Sequence, residues 1–337
     1  MSHEITRRAN GKNEIAFVGE VPWHGLGQSL QVGAPIEQWV EAAGMDWQVR
    51  RSDIMYYADR AQTDLRTVED SKILTRSDTG MKLGIVSPKY QIVQPREILE
   101  FFRDLVGNAG FELHTAGTLF GGSRYWALAQ VADGTISGWD KIGGFMLLST
   151  SADGSRATEI RETTVRVVCN NTLSMAFEDR SKNVIKISHR ETFNADRIKA
   201  EMGLSVEHFD NFLETANTLS KVRVSTAAAE SFITNILRQA SNGGKEIPDD
   251  ADVDNVAEDA RAPRGMELIL GLFEGGGRGA LQKGAAGTAW GLVNAVTEYV
   301  DHLATAKTID NRFDRAMWGS GNDLKTLTLR RAMGVFA

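Results

Sequence analysis

The chain has 337 residues, 42% of them hydrophobic and 24% charged, the make-up of an ordinary soluble globular protein about two domains long. Lys and Arg number 38 against 44 Asp and Glu, a net charge of −6. That balance excludes a histone-like protein that coats duplex DNA by bulk charge, while the single cysteine excludes an intrachain disulfide framework and a cysteine-built zinc site.

Residues 1–12 are polar and charged, without the apolar core of a signal peptide. The most apolar windows, 142–148 and 266–273, fall far short of the ~20 residues of a membrane span. A cytoplasmic protein with no membrane partner is expected. Pro22, Gly25 and Gly27 make 21–27 an extended or turning stretch. Residues 36–43 predict a short helix with Ile36, Trp39 and Val40 on one face. Residues 47–58 predict a strand, and 71–87 a hairpin that turns at Ser77-Asp78-Thr79-Gly80. Pro95 suits the first turn of a helix reaching about residue 106 and ended by Gly107 and Gly110, with Ile98, Leu99, Phe102 and Leu105 as its apolar stripe.

Phe120-Gly121-Gly122-Ser123 predicts a hairpin between 111–119 and 124–131. Ala152-Asp153-Gly154-Ser155 predicts another between 143–151 and 156–169, Asp-Gly being a strong hairpin signal. Asn170-Asn171-Thr172 reads as the cap of a helix over 173–177, and 184–188 as a strand. From 194 the character changes. Helical patterns occupy 195–219, 226–237 and 266–273. An amphipathic helix is predicted over 288–303, and a basic final helix over 323–333 with Lys325, Arg330 and Arg331. Between them, 241–263 holds six acids from Asp249 to Asp259 and reads as a mobile acidic loop. The predicted fold class is α+β. An antiparallel, hairpin-rich core with packed helices covers 1–190, and a mainly helical region covers 191–337.

The run Gly275-Gly276-Gly277-Arg278-Gly279 lacks the spacing of a phosphate loop and follows a helix, so it reads as a flexible connector. Neither nucleotide hydrolysis nor a cofactor is expected. Glu298 and His302 share a helix face, with Asp301 beside them. Joined by His24 or His114 they would make the metal site of a nuclease or hydrolase; otherwise they are an exposed pair. Cys169 is a nucleophile only if a base and an electropositive pocket adjoin it, and otherwise a buried small residue. Strand period places Arg156 and Arg166 on one face of 156–167 and Arg161 on the other. With Arg180, Lys182, Lys186 and Arg190 they compose a basic stripe, and Tyr125, Trp126 and Trp139 offer flat surfaces. That combination suits single-stranded nucleic acid. The alternative is a solvated sheet face on which Glu159 and Glu162 pair the arginines.

At Arg166-Val167-Val168-Cys169-Asn170-Asn171-Thr172-Leu173 the chain resembles a phage- and plasmid-associated family catalogued as a domain of unknown function, number nine hundred thirty-two. The run Pro22-Trp23-His24-Gly25-Leu26-Gly27, the 149–161 hairpin, and Gly287-Thr288-Ala289-Trp290 with the stretch 294–302 extend the resemblance along nearly the whole chain. It implies no catalytic residue. In topology the 145–177 segment is also similar to the single-strand annealing proteins of phage recombination and their eukaryotic relatives, where a hairpin and a following helix build a nucleic-acid groove. That resemblance implies an ATP-independent protein that binds and anneals single-stranded DNA as a homo-oligomer, with Arg156, Arg161, Arg166 and Arg180 on phosphates. Lys182, Trp126 and Trp139 complete the expected interface. The rivals are the metal-dependent nuclease or hydrolase and a host-interaction protein that presents its acidic loop.

Overall fold

Turn chemistry sets the strand order of the first half of the chain. The computed structural model describes residues 6, 8, 10–19, 26–109, 111–166, 171–174, 184–191, 205–243, 263–279, 282 and 284–337. Its strands are β1 (Ile15–Val18), β2 (Gln28–Leu30), β3 (Val49–Tyr57), β4 (Leu65–Arg76), β5 (Lys82–Val86), β6 (Glu112–Leu119), β7 (Arg124–Ile136), β8 (Asp140–Ser151), β9 (Thr158–Arg166), β10 (Asn171–Ser174) and β11 (Val184–Ile187). Eight of them form one sheet in the order β10-β9-β8-β7-β6-β1-β2, with β11 also on β9; β3-β4-β5 form a second sheet. All pairs are antiparallel except β1 with β2.

The predicted hairpins stand at their predicted turns. Gly80 (φ 69°) closes the β4–β5 turn, and Gly154 (φ 74°) closes β8–β9, where the Ser155 N–H donates to Asp153 Oδ1 at 2.9 Å. Both angles lie in the left-handed region that favours glycine. Strands β7 and β8 reach further than predicted and meet in a third turn at Ser137-Gly138-Trp139. Asn171–Ser174 corrects the helix predicted over 173–177. These residues pair with Thr163–Arg166 as β10, and the ladder overrides the capping propensity of asparagine. Residues 167–170 and 175–183, with Cys169, Arg180 and Lys182, lie outside the described residues.

Helices α1 (Ile36–Ala42) and α2 (Pro95–Ala109) bury Trp39, Ile98, Leu99 and Phe102 as their spacing predicts, and α2 runs on through Gly107. They cover one face of the large sheet together with the β3–β5 sheet. There Tyr125, Ala127, Met146, Leu148 and Ile160 meet Trp39, Met45, Trp47 and Phe102. The other face presents Trp126, Leu128, Phe145 and Leu147. Alternation along β7 and β8 therefore buries both faces, which is why β8 reads as a nearly continuous apolar run.

The second face is covered from the far end of the chain. There the helices are α3 (Ser205–Lys221), α4 (Thr226–Ser241), α5 (Met266–Gly271), α6 (Ala289–Glu298), α7 (Ile309–Met317) and α8 (Ser320–Phe336). Thr288 caps α6 by accepting the Gly291 N–H at 3.1 Å. All ten residues of α6 are buried, so it is the central post of the helical region rather than the amphipathic helix predicted over 288–303. Met317 and Trp318, with Phe313 of α7, pack onto Trp126 and its neighbours. Ile136 and Ile142, from the tip of the β7–β8 hairpin, join the helical core. The change in character near residue 190 is thus a change of secondary structure within shared cores.

Candidate nucleic-acid interface

Two cations of the predicted basic stripe, Arg156 and Arg161, are paired within the protein. Arg156 donates to Asp314 of α7 at 3.4 Å and to the Trp318 carbonyl, and Asp314 also holds Arg124. Arg161 pairs with Glu159 at 3.3 Å with its side chain 11% exposed, and Lys186 reaches the same carboxylate. Burial lowers the pKa of Arg161, the reverse of what an open phosphate contact does to a guanidinium. Arg166 stands in register with Ile142 and Asn171. Trp126 is buried against Phe313 at 4.9 Å, and the buried Tyr125 hydroxyl donates to the Val93 carbonyl, so neither ring offers a stacking surface. Trp139, in the β7–β8 turn, is 66% exposed. The reason for the difference is α7. It lies on the sheet face that β9 would otherwise present to a ligand, and brings Asp314 to the arginines.

Glu298 and Asp301 of the rival metal site are engaged within the protein, and His24 lies outside the described residues. Glu298 accepts the backbone N–H groups of Arg278 at 3.1 Å and Gly279 at 3.3 Å. That grip corrects the reading of Gly275–Gly279 as a flexible connector, because the run is tied to the end of α6. Asp301 pairs with Lys325 at 2.7 Å with both side chains almost fully buried. Among the described residues no three His, Cys, Asp or Glu side chains come together as metal ligands.

A different constellation is open. Between the end of α4, the turn after α6 and helices α7 and α8 lies a cleft of about 780 Å³. Its apolar floor is Leu237, Val300, Leu324 and Leu327, and Arg264, Arg312, Arg315, Arg330 and Arg331 line it. Helical period explains the convergence. Arg312 and Arg315 are three apart on α7, while Asp323, Leu327, Arg330 and Arg331 recur at the three- and four-residue spacing of one face of α8. Gly321 lets the two helices meet: a Cβ there would stand 2.7 Å from Val300 Cγ1 and 2.8 Å from the Arg315 carbonyl oxygen.

Two of these arginines meet no carboxylate among the described residues. Arg264 donates to Thr305 Oγ1 at 3.3 Å and Arg315 to the Thr305 carbonyl at 2.8 Å, both neutral oxygens. Arg312 donates to the His302 carbonyl at 3.0 Å. Asp323 is the only carboxylate among the described lining residues. Five guanidinium groups line the cleft with one carboxylate among the described residues, and those of Arg264 and Arg315 meet neutral oxygens, a local concentration of basic side chains on a chain of net charge −6. The chemistry available is recognition of phosphate or carboxylate by planar donor forks. Sequence reasoning found Arg330 and Arg331 as part of a basic helix but missed Arg264, Arg312 and Arg315. The three-residue spacing of the last two was the available signal, in a stretch to which no helix was assigned.

No curated protein and no solved structure matches the chain. A family model described as a domain of unknown function (DUF932) matches residues 82–318, a span that runs from β5 to the end of α7. With well over half its length inside that model, the chain belongs to the DUF932 family.

Proposed function

We propose that this chain binds single-stranded DNA without nucleotide hydrolysis, and that the phosphates lie in the arginine-lined cleft rather than along β9. The observation that carries the reading is the convergence of Arg264, Arg312, Arg315, Arg330 and Arg331 on one cleft of an acidic chain. Guanidinium forks match phosphate oxygens, and the apolar floor with Tyr299 at its edge suits the faces of bases. Single strands allow both contacts at once, since their bases are unpaired. Annealing is the activity that several copies on one strand would support.

The test is fluorescence anisotropy of a labelled single-stranded oligonucleotide across a salt series, without nucleotide or divalent metal. Each neutralised phosphate contributes about −0.7 to the slope of log K against log salt for single strands. Three occupied contacts give a slope of about −2, or roughly twentyfold weaker binding between 50 and 200 mM salt. Arg264→Ala with Arg315→Ala lowers the slope by about 1.4. Absence of binding at low salt overturns the reading, as does a slope that these substitutions leave unchanged.

A further inference from the structure

We propose that the cleft takes the phosphorylated end of a strand, with Arg264 and Arg315 holding a terminal phosphomonoester. The inference rests on the single-strand reading above and adds which part of the strand enters.

Volume is the first argument. About 780 Å³ falls within the range of roughly 300–1,000 Å³ that encloses one small ligand. It admits a nucleotide or two, whereas grooves that track a strand engage about 4–16 nucleotides. Charge is the second. An internal phosphodiester brings one negative charge, and a phosphomonoester brings about −1.5 to −2 near neutral pH with three acceptor oxygens. The guanidinium groups of Arg264 and Arg315, converging on Thr305, are better matched by the more highly charged group.

The third argument is local. Arg264 and Arg315 both hold Thr305 and neither pairs with a carboxylate among the described residues, so two like charges meet at one residue. An anion bridging them relieves that repulsion and receives charge-assisted hydrogen bonds from both. Asp323 supplies the fourth. A continuous strand would have to carry phosphates past this carboxylate, whereas an end can direct its phosphate at Thr305 and leave Asp323 to accept from a sugar hydroxyl or a base amine.

The experiment uses the full chain and internally labelled oligonucleotides of one sequence: 5′-phosphorylated, 3′-phosphorylated and unphosphorylated. Circular single-stranded DNA, a nucleoside monophosphate and inorganic phosphate serve as competitors. A phosphorylated end is expected to bind about tenfold or more tightly than the bare strand, the worth of one or two hydrogen bonds to a charged group. The circle should compete poorly. The preference should collapse in Arg264→Ala and in Arg315→Ala with the circular dichroism spectrum unchanged, and should shrink below about pH 6 as the phosphomonoester dianion takes up a proton to become a monoanion. Equal affinity for all linear strands and the circle overturns the end-binding inference and leaves the single-strand reading standing. Equal competition by the monophosphate or by inorganic phosphate also overturns it and marks a small-phosphate site. No binding of any strand removes the reading beneath it.

Discussion

Glu14 fastens the small sheet to the large one, and its removal should be among the costliest single changes in the protein. Its carboxylate is fully buried and accepts from Arg76 Nη1 at 3.0 Å, Arg76 Nη2 at 2.7 Å, Arg8 Nε at 3.2 Å and the Thr118 hydroxyl. Arg76, 2% exposed at the end of β4, lies 4.2 Å over the Trp47 ring and also holds Asp78 and the Gly121 carbonyl. Burial alone would lower the pKa of this guanidinium, but Glu14 and Asp78 more than offset it and hold the pKa raised. Glu14→Ala leaves Arg76 in the interior with only Asp78, itself 37% exposed, as a charged partner. Removing one member of a buried pair costs about 3–5 kcal/mol, because the surviving charge is stranded. With Asp78 retained, about 3 kcal/mol is expected, a large part of a typical stability of 5–15 kcal/mol. Urea denaturation followed by tryptophan fluorescence reads it. A double-mutant cycle with Arg76→Met should show coupling of about 2 kcal/mol, the double variant losing less than the sum. A loss below about 1 kcal/mol for Glu14→Ala, or strict additivity, would refute the account of this network.

Lys325→Met should destabilise the helical region by a similar ~3–5 kcal/mol by removing the buried cation opposite Asp301, whereas a chelator should leave the melting temperature unmoved; a melting temperature that falls with chelation would point back to a metal at Asp301. Burial holds the pKa of His114 below the ordinary 6.5, so the folded chain keeps the ring neutral at pH values where the unfolded chain protonates it. Its contribution is therefore complete above about pH 6.5 and is lost as pH falls below that. His114→Gln should lose less stability than the wild-type chain between pH 7.5 and 5.5, measured by urea midpoints. Gly291→Ala would set a Cβ 1.9 Å from the Ala285 carbonyl oxygen inside the packed α6, and should cost at least about 1–3 kcal/mol in thermal unfolding.

The hairpins were legible because their turns carry their own chemistry. Asp153-Gly154-Ser155 and Ser77-Asp78-Thr79-Gly80 each fix a reversal through a glycine at positive φ and a short polar side chain, whatever surrounds them. Helices α1 and α2 were legible because Trp39, Ile98 and Phe102 recur at helical spacing. What failed depended on long-range partners. Asn171 and Thr172 have the composition of a cap, and only pairing with Arg166 and Val165 makes them a strand. Helix α7 is short and strongly polar, so its existence rests on Phe313 and Met317 finding the sheet. Period two sets Arg156 and Arg161 on opposite faces of one strand, but β9 begins only at Thr158, and period does not say which face another segment covers.

A sheet buried on both faces has no free face on which to build a groove. Once α7 packs with Trp126 and Phe145, the cations beside it are neutralised from within: Asp314 holds Arg124 and Arg156, and Glu159 holds Arg161. Cations meant for a ligand then belong on the outward sides of the covering helices. Arg312 and Arg315 are on the same helix as Asp314, which turns inward to Arg124 and Arg156 while they line the cleft. One helix of nine residues thus closes the face that the strand pattern suggested and opens another beside it. The Asp314 contacts and the cleft should accordingly fail together: Asp314→Ala frees two arginines, unseats α7, and weakens single-strand binding although it removes a negative charge. Anisotropy at fixed salt decides it, because a surface governed by net charge alone would bind more tightly in that variant.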